Sequence, residues 1–418
     1  MQDRYGNTLG TGSAAARDAY VGGIDRMLAA AAGGEALLNQ AIEADPSFAL
    51  AHIALARSRQ MWGDRAGVAA PLAAALACDG LSPREASHIN ALALLMSGKV
   101  GEGYAAIRAH VIDYPRDALI AQTCTGVFSL IGFSGQPGRE AELLAFTTQL
   151  APHYGDDWWF TGQHAFSQME AGQVGPAAAT IERSIAGNPR NANASHIRSH
   201  LHYENGETAA GLDYLAEWMA GYEREGMLHC HLSWHVALWA LEQGDVDRMW
   251  AVIDADVSPG RTVSPALNVL TDMASILYRA EMRGVSVPPE RWRQVSAYAA
   301  QSFPKPGLAF ADVHAALAHA MAGEGEALAK IVEAARGPAA DMVRALAQAF
   351  GAIAARDWAG AEDHLWIALH DHARIGGSRA QRDLVECAMA NVLLRQGRGV
   401  EAQRLLALRR PVLRLPYM

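Results

Sequence analysis

Six of the sixteen histidines fall within forty residues, at His196, His200, His202, His229, His231 and His235. They sit in two segments, SHIRSHLHYENGE and HCHLSWHVALWALEQGD. His196, His200 and Glu204 are spaced four apart, so on a helix they stack along one face. His231 and His235 do the same. Neutral imidazoles are the commonest protein ligands of zinc, and paired histidines at this spacing present two donors at once. The same groups suit metal-free acid–base chemistry, with one histidine as base, another as acid, and Glu204 or Asp272 orienting an imidazole. A third reading needs no ligand: helix-packing histidines satisfied by carbonyls and carboxylates. No HExxH or CxxC pattern supports the metal reading, and all three stay open on the sequence. Cys230 lies between two histidines, but helix neighbours at i±1 do not face each other, so a nucleophile role for it is poor.

These side chains need a frame, and the composition supplies a helical one. Alanine and leucine dominate, and no strand-like alternation is sustained. Glycines able to end a first helix recur at Gly63, Gly98, Gly135, Gly172, Gly206 and Gly244, and prolines able to end a second at Pro46, Pro83, Pro115, Pro152 and Pro189. Both series repeat about every thirty-six residues, a little longer than a tetratricopeptide unit. First helices are expected at 48–62, 84–97, 117–133, 157–171, 193–205 and 229–243. Further helices are expected at 266–283, 289–302, 308–322, 324–335, 339–355, 358–373, 378–396 and 399–409. The expectation is an all-α, TPR-like α-solenoid over 1–418 as one continuous superhelical domain. Its repeats are clearer over 35–255 and more divergent over 256–418, and it curls around a central groove or pocket. The closing RRPVLRLPYM is expected to lie along the surface as a tail.

Several segments are similar to the tetratricopeptide repeat protein 38 family: DPSFALAH, HIRSH, CHLSWHVALWALEQGD, DMASILYRAEMRGVSV and IGGSRAQRD, in that order along nearly the whole chain. The resemblance implies a single long helical-repeat protein and carries no settled biochemical role. The positions it matches are His196, His200, Glu204, His231, Trp234, His235, Asp272, His314, Gln381, Arg382 and Asp383. His202 and His229 are additions of this chain.

In a tetratricopeptide array the first helices line the concave face. Residues ten, six and three before the terminating glycine point inward, which selects His196, His200 and Tyr203 before Gly206. Before Gly244 the same count selects Trp234, with His231 one turn earlier. Trp234 and Trp158 could wall the groove, although such aromatics more often pack between helices. Asp156-Asp157 reads first as an N-cap. In IGGSRAQRD, Ser378 and Gln381 form a capping-box pattern, while Gln381, Arg382 and Asp383 put donors and a carboxylate on an opening turn suited to an anionic group.

Other classes are excluded by what is missing. Lys+Arg 35 against Asp+Glu 44 gives a net charge of −9, so nucleic acid is not an expected partner. No stretch reads as a membrane span or signal peptide, and the four scattered cysteines fit reduced thiols, so a cytoplasmic protein is expected. Nucleotide or redox cofactors lack their motifs, whereas a divalent metal such as zinc has candidate ligands in His196, His200, His231 and His235. Two functions follow. One is a His-dependent hydrolase or lyase with a small-molecule site built from His196, His200, Glu204, His231, His235 and Asp272, and with Tyr203, Trp234, Trp158, His314, Gln381, Arg382 and Asp383 around the substrate. The alternative is a non-catalytic scaffold that binds a peptide or protein in its concave groove. A homodimer is compatible with either.

Overall fold

The computed structural model describes residues 1–414. Among them are 22 α-helices, one π turn and one 3-10 turn, with no β-strand. The helices pair in order: α1 Ala14–Leu28 with α2 Gly34–Ala44, α3 Ala49–Trp62 with α4 Arg65–Leu76, and α5 Pro83–Met96 with α6 Val100–Asp113; the short α7 Ala118–Gln122 then packs on α6, and α8 Arg139–Tyr154 on the helix that follows it. Next come α9 Trp158–Glu170 and α10 Val174–Gly187, α11 Ala192–Asn205 and α12 Thr208–Met219, α13 His229–Glu242 and α14 Val246–Val252. The last four pairs are α15 Ala266–Met282 and α16 Pro289–Ser302, α17 Ala309–Ala322 and α18 Gly325–Ala334, α19 Ala340–Ala354 and α20 Trp358–Leu369, and α21 Arg379–Arg395 and α22 Gly399–Arg409. This is the helix–turn–helix solenoid that the glycine and proline periods demand.

The punctuation works as expected. Gly63 ends α3 at φ +78, where a side chain would be strained, and Asp64 then caps α4 by accepting from the Gly67 amide. The α1/α2 pair extends the array to the N-terminus ahead of the expected repeats.

Two expected helices end early. The one at 117–133 stops at Gln122, and residues 123–138 form a chain of tight turns. Thr123 Oγ1 turns back onto the Ile120 carbonyl, Gly126 takes φ +77, and the Ser129 hydroxyl accepts from the Gly132 amide. A Cβ at Gly132 would collide with the Val127 carbonyl. The helix expected at 358–373 ends at Leu369, and a 3-10 turn, His372–Ile375, leads into Gly376.

Both departures serve one purpose, which is to bring distant repeats together. Arg139, buried, donates from Nη1 to the Gly132 carbonyl at 2.9 Å, from Nε to the Ala373 carbonyl at 2.5 Å and from Nη2 to the Gly377 carbonyl at 2.7 Å. Phe128 and Phe133 stack beside Phe310. Gly376 and Gly377 have positive φ, and a Cβ on them would run into the rings of Phe133 and Phe310 respectively. Only glycine fits there.

The C-terminal segment corrects the surface-tail expectation. Arg410 is buried and holds Glu204 of α11 with two bonds of 2.9 Å. It also holds Asp383 of α21 at 2.7 and 2.9 Å. Leu415–Met418 lie outside the described residues. Removing one partner of such a buried network strands the rest, which costs about 3–5 kcal/mol. We therefore expect Arg410→Met to lower the urea midpoint by that equivalent. Arg183→Met, at an exposed pair with Asp156, should change stability by no more than about 0.5 kcal/mol. Equal midpoints for the two variants would refute the latch.

Candidate metal centre

α11 presents His196 and His200 on one face, and α13 presents His231 and His235 on the face opposite. The four imidazoles form one cluster, with ring centroids 4.4 Å apart for His196–His200, 4.7 Å for His196–His231, 4.7 Å for His200–His235 and 4.9 Å for His231–His235. One donor atom from each lies within 4.8 Å of the other three. Exposures of 7, 1, 3 and 0 % in sequence order leave no face of the cluster open to water.

A third helix orients the set. Asp272 on α15 accepts from His231 Nδ1, at 2.9 Å to Oδ1 and 3.0 Å to Oδ2. With that proton on Nδ1, the lone pair of Nε2 is free for the cluster. Trp234 lies parallel to the His231 ring at 5.3 Å and holds it in plane. The Nε2 atoms of His196 and His200 stand 2.8 Å apart. His235 has neither ring nitrogen bonded to any protein group, although it is wholly buried. That is the anomalous feature of the site, because an unpartnered buried polar atom costs about 1–3 kcal/mol.

Burial keeps three of these rings neutral. Burial, followed by the neighbouring imidazoles, pushes His196 and His235 well below the ordinary histidine range, and His200 down to about 3. Three proton-free rings do not divide into an acid and a base at neutral pH, which counts against the acid–base reading. Cys230 remains a thiol, since burial and Asp272 push it up.

The other expected site residues are held by partners of their own. Glu204 is taken by Arg410 rather than by a histidine. Asp383 accepts from Arg410 and from the Tyr203 hydroxyl at 2.9 Å. Arg382, expected to face an anion, donates to the Gly377 carbonyl at 2.6 Å and pairs with Glu140 at 2.8 Å and Glu170 at 3.5 Å. Gln381 completes the capping box with Ser378. His314 bonds the Phe310 carbonyl one turn back. Trp158 packs against Arg4 at the N-terminal end of α9, away from the cluster, and Asp157 beside it caps α9. His202 pairs with Glu207 at the surface, and His229 lies near the Tyr222 ring.

Sequence reasoning missed a second buried group, His88, His110 and Asp117. These residues come from α5, α6 and the turn before α7, with no helical spacing to betray them. One oxygen, Asp117 Oδ2, receives Arg84 Nη1 at 2.6 Å, His88 Nδ1 at 2.9 Å and His110 Nε2 at 3.2 Å. A guanidinium on the same oxygen opposes a metal ion, so this group is a hydrogen-bond hub. Burial alone would raise the Asp117 pKa, but its three partners hold it well below the usual carboxylate range.

No family model matches the chain. Among solved structures, it is similar to the human IFIT1 dimer with PPP-AAAA at 13% identity and TM-score 0.46, covering 92% of this chain and 95% of that one. The monomeric IFIT1 mutant with Gppp-AAAA gives 12% and 0.46, covering 85% and 89%. Yeast Tom70 gives 12% and 0.38, covering 96% and 84%. Likenesses of this size transfer no ligand or partner; the solenoid is read from the helices themselves.

The buried histidines make acid stability a direct probe of the site. An unfolded histidine binds a proton below about pH 6.5, whereas folded His200 resists to about pH 3, so stability falls as pH drops through that window. In chelator-treated protein we expect His200→Gln to flatten the pH dependence of the denaturation free energy between pH 6 and 4. The expected change is up to about 1.4 kcal/mol per pH unit. An unchanged slope would mean that His200 is already protonated when folded.

Proposed function

We propose that this protein is a non-catalytic helical-repeat scaffold whose inner layer is stapled by one divalent transition metal, most naturally zinc, on His196, His200, His231 and His235. The observation that carries the reading is His235, fully buried with both nitrogens unpartnered among three other imidazoles. Zinc with tetrahedral bonds of 2.0–2.1 Å needs donor atoms about 3.3 Å apart, and modest ring rotations bring this set to that spacing. Asp272 supplies the carboxylate–histidine pairing that fixes a ligand's tautomer.

Four protein ligands and no exposed face favour a structural centre over a catalytic one, which keeps a position for water. The packing agrees. The imidazoles of α11 and α13 meet across the seam between these two neighbouring first helices. A metal there ties two repeats together. The hydrolase or lyase reading lacks room for substrate at the closed histidine cluster, which leaves the scaffold reading, with a peptide or protein as partner, as the better supported one. Kinship with the tetratricopeptide repeat protein 38 family is part of this proposal and rests on the matched segments.

Elemental analysis of untagged protein should find about one equivalent of zinc or a related metal, lost in His231→Ala. Asp272→Asn should keep the ligands but weaken affinity by about 10- to 100-fold, measured by chelator competition. Metal-free wild-type protein whose melting temperature does not respond to added zinc would refute the staple.

A further inference from the structure

A separate cavity of about 210 Å³ opens beside Trp239, one helical turn beyond His235 on α13. It is bounded by α11, α13, α15, α21 and the closing segment at 412–414. It shares no residue with the histidine cluster, and its polar equipment is of another kind.

Arg279 and Arg283 lie four apart on α15 and so face the cavity together. Arg279 is buried. Its Nε meets the Ser275 hydroxyl at 3.3 Å and its Nη2 donates to the Ala380 carbonyl at 2.8 Å. Nη1 has no hydrogen-bond partner among the described residues, and neither arginine has a carboxylate within ion-pair distance there. The one acidic side chain lining the cavity is Glu242, which accepts from the Thr208 hydroxyl at 3.3 Å and is pushed towards its neutral form by burial. Three guanidinium groups, those of Arg279, Arg283 and Arg414, against one carboxyl leave the cavity cationic. A buried guanidinium without a counter-charge is expensive, and a bound anion relieves that cost.

Tyr203, Thr208, Asn391 and Arg414 add polar groups to the lining, and the remaining wall is largely apolar. Leu238, Trp239, Met282 and Leu406 face the arginine pair. The volume equals about seven waters at ~30 Å³ each, below the range of drug-sized sites, so it excludes a peptide and admits a small metabolite. We infer that this cavity binds a small monocarboxylic acid, its carboxylate on Arg279 and Arg283 and its hydrocarbon or aryl body against Trp239, Leu238 and Leu406. The guanidinium fork matches a carboxylate edge-on, and a stacked indole suits a flat or extended apolar body. Cys387, on the wall, is held as a thiol with its pKa pushed up to about 11 by burial, so it does not compete as an anion.

The test uses the full chain with phenylacetate and hexanoate, and with phenylacetamide as the neutral isostere, in isothermal titration calorimetry. The two carboxylates should bind and the amide should not. Arg283→Met, at a half-buried position where folding is retained, should weaken carboxylate binding by at least about tenfold, the effect of one lost charge-assisted contact. The inference is overturned if neither carboxylate binds, if the amide binds as well as the acid, or if Arg283→Met binds unchanged. Metal content plays no part in any of these readouts, so this site and the zinc staple stand or fall separately.

Discussion

The constraint on which this structure turns is the need to bury four imidazoles between α11 and α13. An apolar layer of leucines would close the α11/α13 seam at no electrostatic cost. Histidines instead bring eight nitrogens out of water, and only some of them find protein partners: one bond joins His196 to His200, and Asp272 takes His231. The neutral state that burial enforces is the state in which imidazole donates a lone pair to a metal. Proton affinity and metal affinity are therefore linked here, since whatever suppresses charging of these rings also prepares them as ligands.

Around that seam the fold spends its other ion pairs on closure. Arg139, Arg382 and Arg410 each reach from one part of the array to another: Arg139 to the turn at 373–377, Arg382 to Glu140 and Glu170, and Arg410 to Glu204. Arginine suits the task because its planar fork engages several acceptors in fixed geometry and stays charged when buried. The residues flanking the histidines on α11, Tyr203 and Glu204, are thus occupied by the C-terminal repeats.

Much of this was legible in the sequence, for reasons that can be named. Helix positions followed from glycine and proline spacing, which depends on local backbone physics alone. His196, His200, His231 and His235 were recoverable as a group because i, i+4 spacing reports a shared face. Asp272 came from the family resemblance rather than from any spacing. What stayed hidden depends on partners far along the chain. The turns at 123–133 read as helix, because nothing local says that Phe133 must meet Gly376. Glu204 read as a site carboxylate, because its partner Arg410 sits in what looked like a loose tail. His88, His110 and Asp117 came from three elements with no shared period, and so gave no signal.

The Arg139 hub has a consequence for how the chain reaches this structure. A linear repeat array contains only near-neighbour contacts, so it can unzip from either end and folds quickly for its length. Joining residue 139 to carbonyls at 373 and 377 adds contacts across more than two hundred positions of chain. Their loop-closure entropy must be met before they stabilise anything. Such bridges trade the independence of solenoid units for a single cooperative transition, in which the ends of the array no longer fray separately. The glycines at 376 and 377, small enough for two aromatic rings to rest on the backbone, are where that exchange is made.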